Sequence, residues 1–421
     1  MSTIDIERVV NAFLPAKEIT DIKHFAGREK LLQDSYLSLL SEGTYMALFG
    51  NRGIGKSSLA RQIISMANGD NKILNKISYP SARKLDYLTV YYSCDDSIDN
   101  YESLLKKLLT TKDCLADWIY TIPTAYKEIQ KINAGLDVGI AKVGSDIKTE
   151  DTETPIISSH DINVIFVNVV NEIVKQKISK DGILVIIDEY DRIKDSEGFA
   201  AFLKSASTNI PKVKFCIVGV AQDLQNLLRS HASSDRLFAG GTIYVPIMNP
   251  TELYKIIDNA ENEIEHKIEF NKEARDKMIY LAQGHPYIIH LIGKYALLKA
   301  FTDKKNTVNV DQINDTLNQI AYNNVDPILE RRYNEAVRSS LQREIVLKEF
   351  AKVDTTLGDI HTAPVYKKCI DLGVDNPSVY VGQLVLPEYG AEFLKVRDGY
   401  YRFKDSLFKA YSAAHPSLQK T

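Results

Sequence analysis

Residues 50–57 carry the clearest chemical signal in the sequence. They read GNRGIGKS and match GxxxxGK[ST] at every fixed position. Glycines let backbone N–H groups turn toward phosphate oxygens, so Lys56 is predicted to reach the β- and γ-phosphates and the Ser57 hydroxyl to ligate Mg²⁺. The alternative is a chance match, but an apolar segment precedes the loop and a helical pattern follows it. The predicted nucleotide-binding residues of the loop are Gly50, Asn51, Arg52, Gly53, Ile54, Gly55, Lys56, Ser57 and Ser58.

A second chemical segment ends in two acids. Residues 183–187 are all apolar and run into Asp188 and Glu189. In a P-loop protein we expect such a strand beside the loop strand, with Asp188 holding the Mg²⁺ shell and Glu189 polarising the attacking water. The alternative is that both acids cap a following helix. The sequence contains no NKxD motif, which favours ATP over GTP.

Two further side chains are candidates for the γ-phosphate. Gln222 follows the apolar segment 213–220, where a side-chain amide would orient the γ-phosphate and the water; the alternative is an ordinary strand-end cap. Arg236 lies before the segment 242–245, where an arginine would neutralise transition-state charge at the site of a neighbouring subunit. The alternative for Arg236 is a surface pair with Asp235.

These residues must be positioned by a parallel sheet. Short apolar segments alternate with helical patterns, which predicts βαβ units and right-handed crossovers. The predicted strands are residues 44–50, 87–92, 183–187, 213–220 and 242–245. The predicted fold is therefore α/β: a P-loop NTPase parallel sheet, followed by a helical lid domain and a C-terminal winged-helix domain.

The later part of the chain changes character twice. After Pro250 the strand patterns stop and only helical patterns follow, which predicts an all-helical domain. Three helical patterns at 339–353, 362–372 and 377–386 then precede a strand–turn–strand signal at 393–403, which predicts a winged helix. The predicted domains are residues 1–249, 250–338 and 339–421. Within the first, residues 135–144 predict a hairpin and 145–155 an acidic loop.

Composition restricts the classes of partner. The net charge is −3, so a nucleic-acid contact would need a local basic patch. No apolar run approaches the roughly 20 residues of a membrane span, and the N-terminus lacks a signal pattern, so no membrane partner is expected. Four separated cysteines without a CxxC pair fit the reducing cytosol, and we expect a cytoplasmic protein.

Four segments together resemble a known family. FAGRE (25–29), GNRGIGKSS (50–58), IIDEYDRI (186–193) and VGVAQDL (218–224) resemble the AAA+ ATPases of the origin-recognition-complex-like branch, over roughly residues 22–340. The resemblance implies that Phe25 and Arg28 lie near the adenine and that Arg236 is the finger. Gln222 stands where the family usually has asparagine.

The predicted lid departs from that branch. Its usual arginine is missing, and Gly284-His285-Pro286 is instead similar to the GxP motif of the STAND signalling ATPases. This resemblance implies that Pro286 lies near the nucleotide and that turnover is slow, because STAND-like proteins usually act as switches that hold ADP. His290, one turn further, is either a phosphate contact or a packed lid histidine, and we favour packing.

The predicted winged helix gives little support for DNA binding. Residues 334–421 hold 12 Lys or Arg and 11 Asp or Glu, and its third helix, 377–386, has no cation. A patch across helix and wing would use Lys367, Lys368, Lys395, Arg397, Arg402 and Lys404. The alternative, which we favour, is that this domain packs on the ATPase core or on a partner.

Three functions remain open from the sequence. The first is a Mg²⁺-dependent ATPase switch that couples ATP binding and hydrolysis to assembly, as a homo-oligomer, or to a protein partner that supplies an effector activity. The second is an ATP-dependent DNA-binding protein of the replication, transposition or plasmid-maintenance type. The third is a signalling scaffold in bacterial defence.

Overall fold

The computed structural model describes residues 5–77, 82–133, 161–220, 236–353 and 359–416. The chain forms two compact units. The sheet unit comprises Glu29–Gly50 and Lys56–Val245, and the helical unit comprises Met1–Arg28, Asn51–Gly55 and Pro246–Thr421. Our domain boundaries at 249/250 and 338/339 stay predictions.

The sheet unit alternates strands with helices, as the apolar segments predict. Its strands are β1 (Met46–Phe49), β2 (Tyr87–Ser93), β3 (Gly182–Asp188), β4 (Val213–Gly219) and β5 (Thr242–Tyr244). The first helix of the chain, α1 (Ile6–Ala12), belongs to the helical unit. The helices of the sheet unit are α2 (Glu29–Leu40), α3 (Lys56–Ala67), α4 (Asn71–Ile77), α5 (Tyr101–Thr110), α6 (Ala116–Ile119), α7 (Pro123–Asn133), α8 (Asp161–Lys175) and α9 (Phe199–Asn209). The described strands pair in parallel in the order β2-β3-β4-β1-β5. The predicted parallel α/β fold is confirmed.

One expectation about the sheet is wrong. We expected β3, which carries Asp188, to lie beside β1, but β4 lies between them. The seven residues of β4 are all buried, as are those of β3. A strand buried on both faces is stabilised in the sheet interior with a partner on each edge, and β4 has β3 on one side and β1 on the other.

The helical unit begins with α1 (Ile6–Ala12) and continues after the sheet unit. Its further helices are α10 (Pro250–Glu263), α11 (Lys272–Ala282), α12 (Pro286–Thr302), α13 (Val310–Tyr322) and α14 (Pro327–Val337). The Asn249 side chain accepts from the Glu252 amide and the Glu252 side chain accepts from the Asn249 amide, which forms a capping box. Helix α10 therefore begins at Pro250, where the strand pattern of the sequence ends. Helix α12 is mostly apolar without a distinct polar face, which fits its position with α1, α10, α11 and α13 packed against it.

The prediction that this part is all-helical is wrong in one detail. Two short strands, β6 (Glu269–Phe270) and β7 (Thr307–Val308), pair in parallel. The amide of Glu269 donates to the Asn306 carbonyl at 3.0 Å, and the amide of Asn271 to Val308 at 2.9 Å. Two-residue strands give no periodicity to read. Phe270 and Val308 are buried, and pairing gives the backbone groups around them hydrogen-bond partners.

The carboxy-terminal elements follow the predicted order. They are α15 (Leu341–Ala351), β8 (Ile360–His361), α16 (Thr362–Asp371), α17 (Pro377–Leu384), β9 (Phe393–Arg397), β10 (Tyr400–Phe403) and α18 (Ser406–Ala414). The hairpin turns at Asp398-Gly399, where Gly399 has φ of 74°. The sheet order is β8-β10-β9, and both pairs are antiparallel. The elements are those of a winged helix, an assignment that stays a prediction; β8 and α18 were not foreseen.

Some predicted features lie outside the described residues. These are the hairpin at 135–144, the acidic loop at 145–155 and Gln222. In the ranges that the structure describes, no helix has the length and apolar character needed to cross a membrane.

Candidate nucleotide-binding site

The predicted phosphate loop connects β1 to α3. Gly53 has φ of 68° and Gly55 has φ of 95°, in the left-handed region that glycine adopts without strain. Lys56 is the first residue of α3, and its ammonium group donates to the Gly50 carbonyl at 3.1 Å. The positive end of the α3 helix dipole therefore lies at the end of the loop, together with the lysine charge.

Asp188 lies at the end of β3 and is 2% exposed. The Tyr91 hydroxyl donates to its Oδ2 at 2.7 Å, and the Glu189 amide donates to Oδ1 at 2.8 Å. The Ser57 hydroxyl also hydrogen-bonds to this carboxylate. The two predicted metal ligands, Ser57 and Asp188, are thus in direct contact. Hydroxyl and carboxylate oxygens are the donors that Mg²⁺ prefers, so this pair fits the predicted ion.

Burial and hydrogen bonding act in opposite directions on Asp188. Burial raises the pKa of its carboxyl group above the ordinary value, while the hydrogen bonds from Tyr91, Ser57 and the Glu189 amide lower it. The negative charge of Glu189 raises the pKa further. The net direction is upward, as expected for a buried carboxylate beside another acid. A divalent cation would stabilise the ionised form.

Glu189 follows β3 in an unusual backbone conformation. Its φ and ψ are 54° and 39°, a left-handed conformation that is uncommon for a non-glycine residue. The Glu189 carboxylate accepts a hydrogen bond from Nε of Arg192 at 3.1 Å, and Arg192 also reaches Asp96 at 3.3 Å. The Glu189 side chain is 42% exposed, so water reaches it. The sequence-predicted base is therefore solvent-accessible and held by one arginine.

The helical unit contains residues 51–55 of the phosphate loop. It also contains Phe25 and Arg28, which the family resemblance places near the adenine. Arg28 is buried, and its guanidinium donates to the Ile54 carbonyl at 3.3 Å. Burial lowers the pKa of Arg28, and the nearby Glu252 opposes this. The Arg28 amide donates to Glu252 at 2.9 Å, which anchors the segment to α10. Phe25 is buried in the same unit.

The start of α12 lies near the loop. Pro286 is its first residue, and the Pro286 ring lies 4.0 Å from the position that a Cβ atom at Gly55 would occupy. The preceding His285 is 1% exposed, and burial lowers its pKa to about 4. His290 lies one turn further along α12, where its Nδ1 accepts a hydrogen bond from the Leu14 amide at 3.2 Å. This bond favours the packing interpretation of His290.

Leu407 is a loop contact that the sequence did not indicate. A Cβ atom at Gly53 would lie 2.9 Å from the Leu407 side chain. Leu407 belongs to α18, a helix that carries no motif. Its place beside the loop depends on tertiary packing, and no local pattern could have identified it.

The two γ-phosphate candidates stay predictions. Gln222 lies outside the described residues. Arg236 is exposed and begins a turn, in which the Ala239 amide donates to the Arg236 carbonyl at 3.3 Å. Asp235, its alternative partner, is also outside the described ranges.

Several cations of the predicted DNA patch are engaged by other side chains. Lys395 pairs with Asp398 at 2.7 Å, and Arg402 pairs with Asp359 at 2.5 Å. The Arg397 guanidinium lies over the Tyr400 ring at 4.0 Å. Acidic partners weaken the attraction of these cations for phosphate.

Comparison with known proteins gives a family and a fold. A family model described as Novel STAND NTPase 1 matches residues 14–345, well over half of the chain. No curated protein matches this chain.

Among solved structures, a Walker-type ATPase of Pyrococcus abyssi is 16% identical with a TM-score of 0.50, covering 96% of this chain and 99% of that one. Cdc6p of Pyrobaculum aerophilum is 11% identical with a TM-score of 0.49, covering 98% and 97%. The Aeropyrum pernix ORC2 protein is 13% identical with a TM-score of 0.47, covering 97% of each chain.

These findings test the resemblance stated from the motifs. The STAND similarity, based on Gly284-His285-Pro286, is confirmed by the family model. The likeness to the Pyrococcus structure, at 16% identity, confirms the P-loop ATPase fold and nothing finer. The prediction of an NTP-hydrolysing enzyme is confirmed by the family, whose description is that of an NTPase.

Proposed function

Because this chain belongs to the Novel STAND NTPase 1 family, we propose that it is a Mg²⁺-dependent ATPase whose nucleotide state switches assembly or engagement of a protein partner. The observation that carries the proposal is the contact between Ser57 and Asp188 at the carboxyl edge of the sheet, next to Lys56. Crevices at this edge are where open α/β sheets bind ligands.

Each residue of the site has a distinct task. Lys56, with the α3 N-terminus, neutralises the β- and γ-phosphates. Ser57 and Asp188 hold Mg²⁺, which when bound supplies positive charge at the phosphate oxygens. Glu189 orients the attacking water and accepts its proton, for which its carboxylate must share or leave the contact with Arg192. Arg28 and Pro286 line the loop from the helical unit.

The switch proposal is supported by what surrounds the loop. Residues 51–55 belong to the same compact unit as α12 and α18. The Leu407 side chain occupies the space beside Gly53, and the Pro286 ring lies near Gly55, so both side chains border the loop where it would move around phosphate. A signal from the nucleotide can therefore reach α18 through side-chain packing alone. The partner would be a second copy of this chain or another protein carrying an effector activity.

DNA binding is the weaker alternative. The third helix of the predicted winged helix, α17, has no Lys or Arg, and Lys395 and Arg402 are paired with acids. Size-exclusion chromatography with no ligand, with ATP, and with ATP plus duplex DNA distinguishes ATP-driven assembly from ATP-dependent DNA binding. A mass increase with ATP alone supports assembly. An increase that requires DNA would support the DNA-binding function instead.

The first prediction separates binding from chemistry. Lys56→Ala removes the phosphate-neutralising charge, and we expect loss of ATP binding by calorimetry. Glu189→Gln keeps the side-chain shape without the base, so ATP still binds while turnover falls by about 10²-fold or more. Lys72→Ala removes an exposed lysine from α4 and should leave both measurements unchanged.

Two outcomes would contradict these assignments. Unchanged hydrolysis in Lys56→Ala would exclude the loop as the nucleotide site. Loss of ATP binding in Glu189→Gln would make Glu189 a structural residue rather than the base.

A further inference from the structure

Tyr91 contacts the proposed metal ligand Asp188 from the neighbouring strand. In the parallel pairing of β2 with β3, Ser93 lies opposite Asp188 and Tyr91 lies opposite Ile186. Alternate residues of a strand share a face, so Tyr91 and Asp188 point to the same side of the sheet. Tyr91 is therefore the diagonal neighbour of Asp188 on the adjacent strand, and its hydroxyl donates to Oδ2 of Asp188 at 2.7 Å.

Helix α3 holds the Tyr91 ring in place. The guanidinium of Arg61 lies over the ring, 3.5 Å from its centroid. Cation–π contacts of this kind attract the cation to the face of the ring, more strongly as the pair becomes desolvated. Arg61 is four residues after Ser57, so both side chains leave the same face of α3. The helix therefore contacts Asp188 twice, directly through Ser57 and indirectly through Arg61 and Tyr91.

These contacts fix the direction of the Asp188 carboxylate. Oδ1 is held by the Glu189 amide and Oδ2 by Tyr91, so rotation of the group would break one or both bonds. Mg²⁺ demands near-ideal octahedral geometry and is sensitive to the direction of its ligands. Partners that orient metal ligands typically affect metal affinity by 10- to 100-fold.

We propose that Tyr91 is a positioning residue for the magnesium site, held by Arg61 and acting through Asp188. This inference rests on the proposed function, because it requires a metal at Ser57 and Asp188. Tyr91 does not touch the nucleotide or the reacting water in this proposal. Its effect is on metal affinity, while nucleotide affinity without metal is set by the loop.

The test measures metal binding directly. Mn²⁺ binding to the full chain in the presence of ADP is followed by electron paramagnetic resonance, for the wild type and for Tyr91→Phe. We expect about tenfold weaker Mn²⁺ binding in the variant. ADP affinity in excess EDTA should be equal in both. Arg61→Gln, which removes the cation over the ring but leaves the hydroxyl, should weaken Mn²⁺ binding to a smaller extent.

The matched control is Tyr92→Phe. This substitution also removes a tyrosine hydroxyl from β2, but from the next residue, whose side chain packs on the opposite face of the sheet. Its Mn²⁺ affinity should equal that of the wild type. A general loosening of β2 would instead weaken metal binding in both tyrosine variants and would overturn the positioning role.

The remaining outcomes are distinguishable. Equal Mn²⁺ affinity in the wild type and Tyr91→Phe overturns the inference and leaves the proposed function intact. Failure of the wild type with ADP to bind Mn²⁺ contradicts the metal site itself, and with it both proposals. If the circular dichroism of Tyr91→Phe shows that this variant is not folded, Mn²⁺ binding is measured on Arg61→Gln instead. Weaker Mn²⁺ binding in Arg61→Gln supports the inference, and unchanged binding overturns it.

Discussion

At the scale of single residues, His290 couples stability to pH. Its Nδ1 accepts a hydrogen bond from the Leu14 amide, which requires the neutral ring, and burial lowers the His290 pKa to about 4. Between pH 6.5 and 4 the unfolded chain binds a proton that the folded chain does not, so stability falls with falling pH in this window. Above pH 6.5 this contribution is constant. The loss reaches about 2 kcal/mol at pH 5.

The second prediction is that His290→Asn reduces this acid sensitivity. The asparagine oxygen can accept from Leu14 without titrating. Thermal unfolding at pH 7 and pH 5 should show a smaller loss of stability in the variant than in the wild type. His361→Asn is the control, because His361 is exposed, and it should keep the wild-type difference. An unchanged difference in His290→Asn would show that His290 is protonated in the folded chain.

The sequence predicted some site residues and missed others for a physical reason. Lys56, Ser57 and Asp188 were found because phosphate and Mg²⁺ chemistry imposes residue types at fixed spacing, and the structure brings the last two into contact. Tyr91 and Arg61 were missed because their roles depend on the register between β2 and β3. The residues of one strand do not specify which residues of the neighbouring strand lie opposite them, so the contact between Tyr91 and Asp188 could not be predicted from the sequence.

At the scale of elements, the apolar segments predicted the described strands of the parallel sheet to within two residues at either end. The signal was clearest for β3 and β4, because strands that are buried on both faces leave long apolar runs. Their order was predicted wrongly at β3, since β4 separates it from β1. Order depends on which edges the crossover connections reach, and composition does not encode this. The two-residue strands β6 and β7 were missed because two residues are too few for a period.

Lys214 illustrates how one element completes another. It is 6% exposed on β4, and its ammonium group donates to the carbonyls of Ser38 at 3.1 Å, Ser41 at 2.5 Å and Thr44 at 3.0 Å. Helix α2 has no basic residue in its last turn, and its final carbonyls lack intrahelical donors. A lysine from the sheet therefore caps the helix and fixes the turn into β1.

The third prediction follows from this cap. Lys214→Met keeps the stem but leaves the carbonyls without their donor, and we expect a loss of about 3 kcal/mol in the free energy of unfolding. Lys212→Met is the control, because the Lys212 side chain is exposed and its ammonium group donates to the Lys180 carbonyl. Its effect should stay within about 0.5 kcal/mol. Equal stability of both variants in a urea titration would show that water replaces the ammonium group.

At the scale of the whole molecule, the predicted site residues divide between the two compact units of the chain. Lys56, Ser57, Asp188 and Glu189 belong to the sheet unit. Arg28, Pro286 and Leu407 belong to the helical unit with the loop residues 51–55. The family resemblance anticipated Arg28 and Pro286 from their motifs. It did not anticipate Leu407, which lies in a part of the chain without a motif.

The last prediction tests whether two copies of the chain complete one site. Arg236 is exposed after β4, in the connection where the family resemblance implies a finger that reaches a neighbouring subunit. Such an arginine is worth about 10³-fold or more in turnover. Arg236→Ala should therefore keep the ATP affinity of the monomer and lose hydrolysis. Lys56→Ala should lose the phosphate site and keep the finger.

Mixing the two variants gives the decisive measurement. In a mixed assembly, Arg236 of the Lys56→Ala chain can reach the intact phosphate loop of the Arg236→Ala chain. Hydrolysis should then recover in part, and it should rise with total protein concentration, because only assembled pairs are active. A Lys56→Ala chain that also carries Arg236→Ala is the control and should rescue nothing. A mixture as inactive as either parent, at concentrations where chromatography shows assembly, would mean that Arg236 acts within its own chain or on its surface.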